Sequence, residues 1–531
     1  MSIRTWLSSS LRRLYPLGRP GAAKSTTVYA ARGESLSFQV GAWLDAEGPA
    51  EVAVEASAPA GLSVRVRRVG LVPMPHHNTA TPVDELDGVG HVPGYVPDPL
   101  LPESQALVAP REVVAFWLTV RVSANARPGR KSVRITVRAD GHGVRVLKAT
   151  IAVSPVVLER RRRFHVTHWF YADALCDRYG VEPFGRKFWP VCRAYMRNYA
   201  EHGLDVIYVP VFTPPLDGVK RPTQLLRVSR RPDGRYRFDW RDVRRWVALA
   251  RQCGIRQFEW THLFTQWGAR HAIRVYEKRR GKDVLLWPPG TKATSPTYRD
   301  FLAQFLPALE RFIRREKLLS VSHFHVSDEP HGEEHLANYR KARGLLRELA
   351  PWMEVMDALS DIRFGREGLT DTPVPSISTA LDFEREGIPS WTYFCCGPRG
   401  RYLNRLLDTP LAKIRMSGWL FYRFGVGGFL HWGYNYWYKR QTRQVIDPFT
   451  TTDGLAWPGW AHGDPFVVYP GPDGPIDSIR WEVFAESLQD YALLETVGVD
   501  RNAAILSGLR GFDRFPKTEA WLRKARESLL T

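Results

Sequence analysis

The chain has 531 residues, of which 44% are hydrophobic and 24% charged, proportions typical of a globular protein. This composition excludes a wholly disordered chain, and the unperiodic Gly and Pro exclude a collagen-like one. The formal net charge of +20 raises nucleic acid, anionic lipid and acidic polysaccharide as partners. However, the basic residues are interleaved with 55 acidic ones, and no nucleic-acid-binding motif accompanies them. We therefore expect no nucleic-acid partner.

Cysteine usage and hydropathy bear on the compartment. The five cysteines form no C-x-x-C pair, which argues against a disulfide framework and a cysteine-based zinc site. No run of about 18 uncharged apolar residues is present, so we predict no membrane span. The N-terminal segment lacks the apolar core of a secretory signal, and we expect a cytoplasmic protein. The oligomeric state stays open.

Residues 24–158 carry hydrophobic side chains at every second position. This period indicates strands, and Gly, Pro and Asn turn signals separate them. We predict a β-sandwich domain over 24–158, a flexible or weakly structured N-terminus over 1–23, and one long loop over 71–111. The strand candidates are 35–43, 51–57, 62–70, 113–122, 132–140 and 144–153.

From residue 159 onward, short β-branched or aromatic runs alternate with segments of helical period. The strand candidates are 164–171, 205–211, 256–263, 321–327, 353–359, 374–379, 390–396 and 427–435. The helix candidates are 186–201, 239–252, 297–316, 333–350, 401–424 and 476–497. Eight alternations predict a (β/α)8 TIM barrel over 159–497 and a C-terminal helical extension over 498–531. The predicted fold class is thus multidomain β plus α/β, an N-terminal β-sandwich followed by a barrel.

Cofactor and metal motifs are missing from the sequence. No G-x-G-x-x-G follows the first strand of the predicted barrel, so we expect no dinucleotide and predict no cofactor. His323 and His325 alternate on the fourth strand without a paired-His-plus-acid spacing. They are therefore predicted to be core or supporting residues, and no metal site is predicted.

The predicted barrel directs attention to its strand ends, because barrel enzymes carry their catalytic groups at the carboxyl ends of the strands. The fourth strand ends in VSDEP (326–330), which places Asp328 and Glu329 there. Aromatic side chains follow several other strands, and aromatic rings stack on the apolar faces of sugars. We predict Asp328 and Glu329 as the catalytic residues of a sugar site. The predicted substrate-binding residues are His168, Tyr171, Trp260, Trp391, Tyr393, Trp432, Asn435 and Trp437.

The adjacency of the two acids bears on mechanism. A pair that straddles the scissile bond is about 5–5.5 Å apart in retaining enzymes and about 6.5–9.5 Å in inverting ones. Neighbouring acids would instead act from one side, one protonating the leaving oxygen while the other holds a 2-acetamido group that attacks. Burial and the Asp328 charge are expected to raise the pKa of Glu329. The alternative is structural, because Asp-Glu-Pro also begins helices.

Four segments carry a family resemblance. They are VSDEP, ARGESLSFQV (31–40), PDPLLP (97–102) and GDPFVVYPGPDGPIDSIRWEVFAESLQDYALLE (463–495). Together they resemble glycoside hydrolase family 123 and its relatives that carry the domain of unknown function 4091. The resemblance covers residues 26–496 and implies a β-sandwich packed on a (β/α)8 barrel.

For characterised members, the resemblance implies a retaining β-N-acetylgalactosaminidase that uses substrate assistance and no metal or organic cofactor. Glu329 would be the general acid/base, and Asp328 would orient the 2-acetamido group. The late block reads AESLQDY, where relatives commonly carry an RDGLEDY-like segment. The partner implied is a carbohydrate. A glycosidase of different sugar specificity and a non-catalytic carbohydrate-binding protein on the same scaffold remain alternatives.

Overall fold

The computed structural model describes residues 2–218 and 220–531, and the chain forms two compact units. The first unit contains the chain up to Arg162 together with 396–425 and 447–531. The second unit contains 163–395 and 426–446.

The first unit begins with ten strands. They are β1 (Ser2–Ser9), β2 (Ser25–Arg32), β3 (Ser35–Asp45), β4 (Ala50–Ser57), β5 (Leu62–Met74), β6 (Gly94–Leu101), β7 (Gln105–Val108), β8 (Val113–Val122), β9 (Gly129–Ala139) and β10 (Gly143–Val157). They form two five-stranded sheets, ordered β1-β3-β8-β5-β6 and β2-β10-β9-β4-β7. Alternate side chains of both sheets meet in one hydrophobic core, which includes Phe38 and Phe116 of the first sheet and Ile135 and Ile151 of the second.

Two predictions for this region need correction. Residues 1–23 were expected to be flexible, but β1 pairs with β3 over its whole length. Residues 71–111 were expected to form one loop, but they contain the end of β5 together with β6 and β7. Prolines at 93, 97 and 99 led this segment to be predicted as a loop. Strand β6 lies at the edge of its sheet, where proline is tolerated. Met1 lies outside the described residues.

The second unit alternates strands and helices. Its strands are β11 (His165–His168), β12 (Val206–Val209), β13 (Arg227–Arg230), β14 (Tyr236–Asp239), β15 (Gln257–Trp260), β16 (Tyr276–Arg279), β17 (Lys282–Leu285), β18 (Ser322–His323), β19 (Met356–Ala358), β20 (Thr372–Val374), β21 (Thr392–Tyr393) and β22 (Gly428–His431). Its helices are α1 (Ala172–Tyr179), α2 (Phe188–Glu201), α3 (Arg241–Gln252), α4 (Pro296–Arg315), α5 (Gly332–Leu349), α6 (Arg363–Arg366) and α7 (Ala380–Arg385).

Six of these strands form a curled parallel sheet in the order β18-β15-β12-β11-β22-β21. Strands β19 and β20 pair in parallel beside it. Single parallel bridges join Phe324 to Val355 and Ser376 to Tyr393. The segment between β15 and α4 contains the hairpin β16–β17, which joins β13 and β14 in a separate four-stranded sheet.

The later part of the chain returns to the first unit. Its elements are α8 (Leu411–Arg415), α9 (Ser417–Arg423), β23 (Val468–Gly471), β24 (Gly474–Asp477), α10 (Ile479–Val497) and α11 (Glu519–Leu530). The predicted barrel domain over 159–497 therefore needs correction, because 396–425 and 447–497 belong to the unit that holds the N-terminal sheets. Buried polar contacts explain this assignment. Arg67 of β5 contacts Asp477 and Glu482, and Arg480 contacts Asp98 of β6.

The predicted helix 401–424 is divided into α8 and α9, after an irregular stretch that begins at 401. Among the helices of residues 2–218 and 220–531, none has the length together with the hydropathy that a membrane-spanning helix needs.

Candidate active site

The inner face of the curled sheet is defined by polar side chains that meet from neighbouring strands. The Thr167 hydroxyl of β11 donates to Glu259 of β15 at 2.5 Å, and Trp169 Nε1 donates to the same carboxylate at 2.7 Å. His325, beyond β18, contacts Glu259 through Nε2 at 2.8 Å. Because successive side chains of a strand alternate, these contacts identify which residues face inward.

Glu259, His325 and Asp357 form a fully buried ion cluster on this face. His325 Nδ1 lies 3.1 Å from Asp357 Oδ1, so the imidazole bridges two carboxylates. Burial alone would lower the pKa of His325, but its hydrogen bonds to Asp357 and Glu259 raise that pKa to about 9. The cluster therefore contains an imidazolium between two acids at neutral pH.

His262 stacks on His325, with ring centroids 4.1 Å apart and planes at 16°. His262, His325 and Asp357 each offer a ligand atom, all within 4.8 Å of one another. A metal needs nitrogen lone pairs that converge in the ring planes at about 2.0–2.1 Å. Two nearly parallel stacked rings do not provide this, and both His325 nitrogens are engaged by carboxylates. The geometry therefore favours a proton in this cluster.

Asp328 follows His325 by three residues, so it lies nearer the carboxyl ends of the strands than the ion cluster does. It is almost completely buried. Its backbone oxygen accepts from Trp267 N, and its Oδ2 accepts from Gln266 Nε2 at 2.8 Å. Burial raises the pKa of Asp328 well above its ordinary value, and the charges of Glu329 and Asp217 add to the effect. Burial and the neighbouring acids thus stabilise the protonated form of Asp328 relative to that of an exposed carboxyl group.

Glu329 is half-buried, and its side chain reaches the same face of the sheet. Its Oε1 accepts a 2.6 Å hydrogen bond from the hydroxyl of Tyr393. Tyr393 pairs with Leu430, which pairs with Thr167, so all three side chains point inward. The backbone of Glu329 has φ +43°, a left-handed conformation that lets two consecutive side chains turn to one side.

The two acids do not cap the following helix. Helix α5 begins at Gly332, and its first turn carries Glu333 and Glu334. The side chains of Asp328 and Glu329 bond elsewhere, to Gln266 and Tyr393. The structural alternative raised by the Asp-Glu-Pro sequence therefore lacks its expected contacts.

Asp217 brings a third carboxylate to the pair, and Asp217, Asp328 and Glu329 together are called the acidic trio. Gln266 links two of its members, because its Oε1 accepts from Asp217 N at 2.9 Å while its Nε2 donates to Asp328. The Tyr171 hydroxyl donates to Asp217 Oδ2 at 2.8 Å. Asp217 has φ +55°, so a second member of the trio has a backbone conformation rare for its residue type.

Aromatic side chains surround Asp217. The Tyr436 hydroxyl donates to the backbone oxygen of Asp217, and the half-buried Trp432 packs on Tyr436 with centroids 5.2 Å apart. The ammonium group of the buried Lys220 lies 4.1 Å from the Tyr436 ring centroid. Burial lowers the pKa of Lys220, and Asp173 and Asp217 oppose that shift.

Of the predicted substrate-binding residues, Tyr171, Tyr393 and Trp432 lie around the acidic trio. Asn435 supports Tyr171 instead of facing the pocket, since its side chain bonds both backbone atoms of Tyr171 at 2.9 and 3.0 Å. We therefore treat Asn435 as a positioning residue.

His168 and Trp260 lie on the outer face, contrary to prediction, because each neighbours an inward residue on its strand. His168 follows Thr167 and stacks on His431. Trp260 follows Glu259 and packs between Phe312 of α4 and Phe324.

Trp391 and Trp437 are also outside the pocket. Trp391 precedes β21 and packs against His165 and His323 at the amino ends of the strands, opposite to Asp328. A Cβ on Gly428, the first residue of β22, would lie 2.3 Å from the Trp391 ring. Trp437 is fully buried against Tyr195 of α2.

Asp217 and Gln266 were not predicted from the sequence as residues of the site. Both lie in loops that follow strands β12 and β15, so the strand-end rule could have included them. Neither residue is aromatic or paired with another acid in sequence, and their proximity to Asp328 arises only when the loops meet.

A family model described as "Glycoside hydrolase 123, catalytic domain" matches residues 169–497, more than half of the chain. The chain belongs to glycoside hydrolase family 123. This membership confirms the resemblance seen in the sequence, and it supports a glycoside hydrolase with a carbohydrate substrate. The matched range includes all three members of the acidic trio.

One solved structure has a similar fold. A family 123 glycoside hydrolase from Clostridium perfringens, studied for glycolipid glycan hydrolysis, has a TM-score of 0.72 at 15% identity, covering 93% of this chain and 89% of that one. A β-D-glucuronidase from Dictyoglomus thermophilum has a TM-score of 0.33 at 12% identity, covering 86% and 66%. The second similarity is too low to carry an argument. No curated protein sequence matches the chain significantly.

Proposed function

We propose that this family 123 protein is a retaining glycosidase that removes a terminal 2-acetamido-2-deoxy-β-hexoside by substrate assistance. A β-N-acetylgalactosaminide is the first substrate to test. The observation that carries the proposal is the placement of Asp328 and Glu329, whose adjacent side chains bond Gln266 and Tyr393 on the inner face of the sheet. Acids on one side of a sugar suit an internal nucleophile better than a straddling pair does.

Glu329 is the proposed general acid and base. Tyr393 occupies its Oε1, which leaves Oε2 to carry the transferred proton. In the first step, the acetamido oxygen bonds to the anomeric carbon while Glu329 protonates the departing oxygen. In the second step, Glu329 takes a proton from water as the water attacks the anomeric carbon. This attack breaks the bond between the anomeric carbon and the acetamido oxygen that formed in the first step. Two inversions give net retention.

Asp328 is proposed to hold the acetamido group. Its ionised form accepts the N–H of that group and stabilises the positive charge that develops on the intermediate. Because burial raises the pKa of Asp328, ionisation needs support, and the Gln266 hydrogen bond supplies it by lowering that pKa. Asp328 is the more deeply buried carboxyl group of the pair.

The proposal extends to the fold around the site. Parallel pairing continues from β18 through the Phe324–Val355 bridge to β19 and β20, and the Ser376–Tyr393 bridge leads on to β21. These pairings support a (β/α)8 barrel of strands β11, β12, β15, β18, β19, β20, β21 and β22. The shared core of the two N-terminal sheets supports a β-sandwich.

A panel of 4-nitrophenyl glycosides tests the function. We expect hydrolysis of a 2-acetamido-β-hexoside, retention of anomeric configuration by NMR, and competitive inhibition by the thiazoline analogue of the same sugar. Hydrolysis of 2-hydroxy sugars without thiazoline inhibition would contradict substrate assistance. Sugar binding without turnover of any glycoside would favour the non-catalytic alternative.

A further inference from the structure

A groove on the second unit lies between the β13–β14 hairpin and the last two turns of α4. Its volume is about 400 Å³, within the range of small-ligand sites. We call it the arginine groove, because it is lined by Arg231, Arg235, Arg237, Arg311 and Arg315. All five arginines are exposed, and none of the described residues that line the groove is acidic.

Most of these guanidinium groups lack an acidic partner. Within residues 2–218 and 220–531, Arg231, Arg235, Arg237 and Arg311 form no ion pair. Arg315 lies 3.3 Å from a glutamate that Arg244 also contacts. This differs from the other exposed arginines of α4, since Arg299 and Arg314 each pair with a glutamate. The groove therefore concentrates positive charge that the protein itself does not neutralise.

The floor of the groove is aromatic. Tyr236, Phe238 and Trp240 line it and are only half-buried. Trp240 stacks on Phe312 of α4, with centroids 4.5 Å apart and planes at 14°, which fixes its ring against the helix. A held, partly exposed aromatic surface beside free guanidinium groups offers ring stacking and anion binding in one place.

We propose that the arginine groove is a second carbohydrate-binding site, which holds a sulfated glycan chain apart from the catalytic pocket. Guanidinium groups bind sulfate through paired N–H donors, and the aromatic floor accepts the apolar face of a sugar ring. The choice of a glycan over a nucleic acid rests on the proposed glycosidase function. Helix α4 ends at Arg315 and leads to the amino end of β18, whereas Asp328 lies beyond its carboxyl end. Phe312, which lines the groove, packs on Trp260 at the outer face of the sheet, whereas the side chains of Asp328 and Glu329 lie on the inner face. The groove is therefore separate from the catalytic pocket.

Titration calorimetry with a chondroitin sulfate tetrasaccharide tests the site on the full chain. We expect Arg237→Ala/Arg311→Ala to weaken binding by at least about tenfold, because two charge-assisted contacts are lost. The matched control is Arg186→Ala/Arg256→Ala, which removes the same charge from exposed positions elsewhere on the unit. Arg237→Lys/Arg311→Lys keeps the charge but loses paired donors, so an intermediate loss is expected.

Three further measurements decide the interpretation. The desulfated tetrasaccharide should bind at least about tenfold more weakly than the sulfated one, because the guanidinium groups lose their anionic partner. Turnover of a small aryl glycoside should be unchanged in the groove variant, which separates this proposal from the proposed function. Equal losses in the groove and control variants would overturn the site. Tighter binding of the oligonucleotide (dT)10 than of the glycan, lost in the groove variant alone, would overturn the glycan assignment.

Discussion

The ion cluster and the acidic trio lie as two layers on the inner face of one sheet, and they differ in whether their negative charges are paired with a cation. In the ion cluster, the His325 imidazolium lies between two carboxylates, and all three residues are fully buried. The acidic trio above it has three carboxyl groups and forms no ion pair with a cation in the described chain. Instead, its contacts are neutral donors, namely Gln266 and two tyrosine hydroxyls.

This difference separates a structural role from a chemical one. A buried charge with partners stabilises one arrangement, and removing a partner leaves an uncompensated ion. Asp328 is buried without a cation, and its raised pKa makes its proton binding sensitive to the groups around it. The lower layer should therefore control stability, and the upper layer should control turnover and its pH dependence.

The largest effect is expected for Glu329→Gln. Loss of the general acid should lower kcat about 10²–10⁴-fold on a substrate with a poor leaving group. An activated aryl glycoside needs little protonation, so its glycosylation step should change far less. Pre-steady-state and steady-state rates on both substrates measure the difference. Equal losses in glycosylation would contradict the assignment of Glu329 as the acid.

His325→Leu tests the lower layer. The change leaves Glu259 and Asp357 buried without their cation and should reduce the free energy of unfolding by about 3–5 kcal/mol. Urea denaturation measures this loss. His323→Leu, two residues earlier in the chain, is the matched control, because burial lowers the pKa of His323 to about 4 and no charge is removed at neutral pH.

The same cluster predicts a pH dependence of stability. The folded-state pKa of His325 is raised to about 9, above the ordinary value of 6.5. Its stabilisation is therefore complete below pH 6.5 and is lost as the pH rises toward 9. His325→Leu should remove this decline. A decline of the same size in the variant would show that other groups cause it.

A matched pair of substitutions should move the acidic limb of the kcat/KM profile in opposite directions. The Asp217 charge raises the pKa of Asp328, and the Gln266 hydrogen bond lowers it. Asp217→Asn should therefore shift the limb to lower pH, and Gln266→Met should shift it to higher pH, each by about one unit or less. Shifts of the same sign would contradict the role of Asp328 ionisation.

The smallest effect on activity is expected for Trp260→Phe. Trp260 packs on the outer face and donates to the Ser322 hydroxyl at 2.8 Å, so it does not contact the pocket. Stability should fall by about 1–2 kcal/mol, while kcat/KM stays within about twofold. A large loss of kcat/KM without unfolding would contradict the conclusion that Trp260 lies outside the pocket.

The outcomes for individual residues show how far the strand-end rule reaches. It located Asp328 and Glu329 at the end of the fourth strand, and it included Tyr171 and Tyr393. It failed for His168 and Trp260. The sequence of a short strand shows that side chains alternate between two faces, but it does not show which of the two faces is the inner one. It failed for Trp391 because the strand begins at Thr392, after the tryptophan.

The sequence by itself determined the family, the β-rich N-terminal region, the order of strands and helices that follows, and the adjacency of the two acids. These features depend on local periodicity and on motifs that are continuous in the chain. Only the tertiary structure decided that Asp217 and Gln266 join Asp328, that 447–497 belongs with the N-terminal sheets, and that the four unpaired arginines line one groove. Each of these depends on contacts between distant segments, where burial and charge are set by neighbours that no local pattern records.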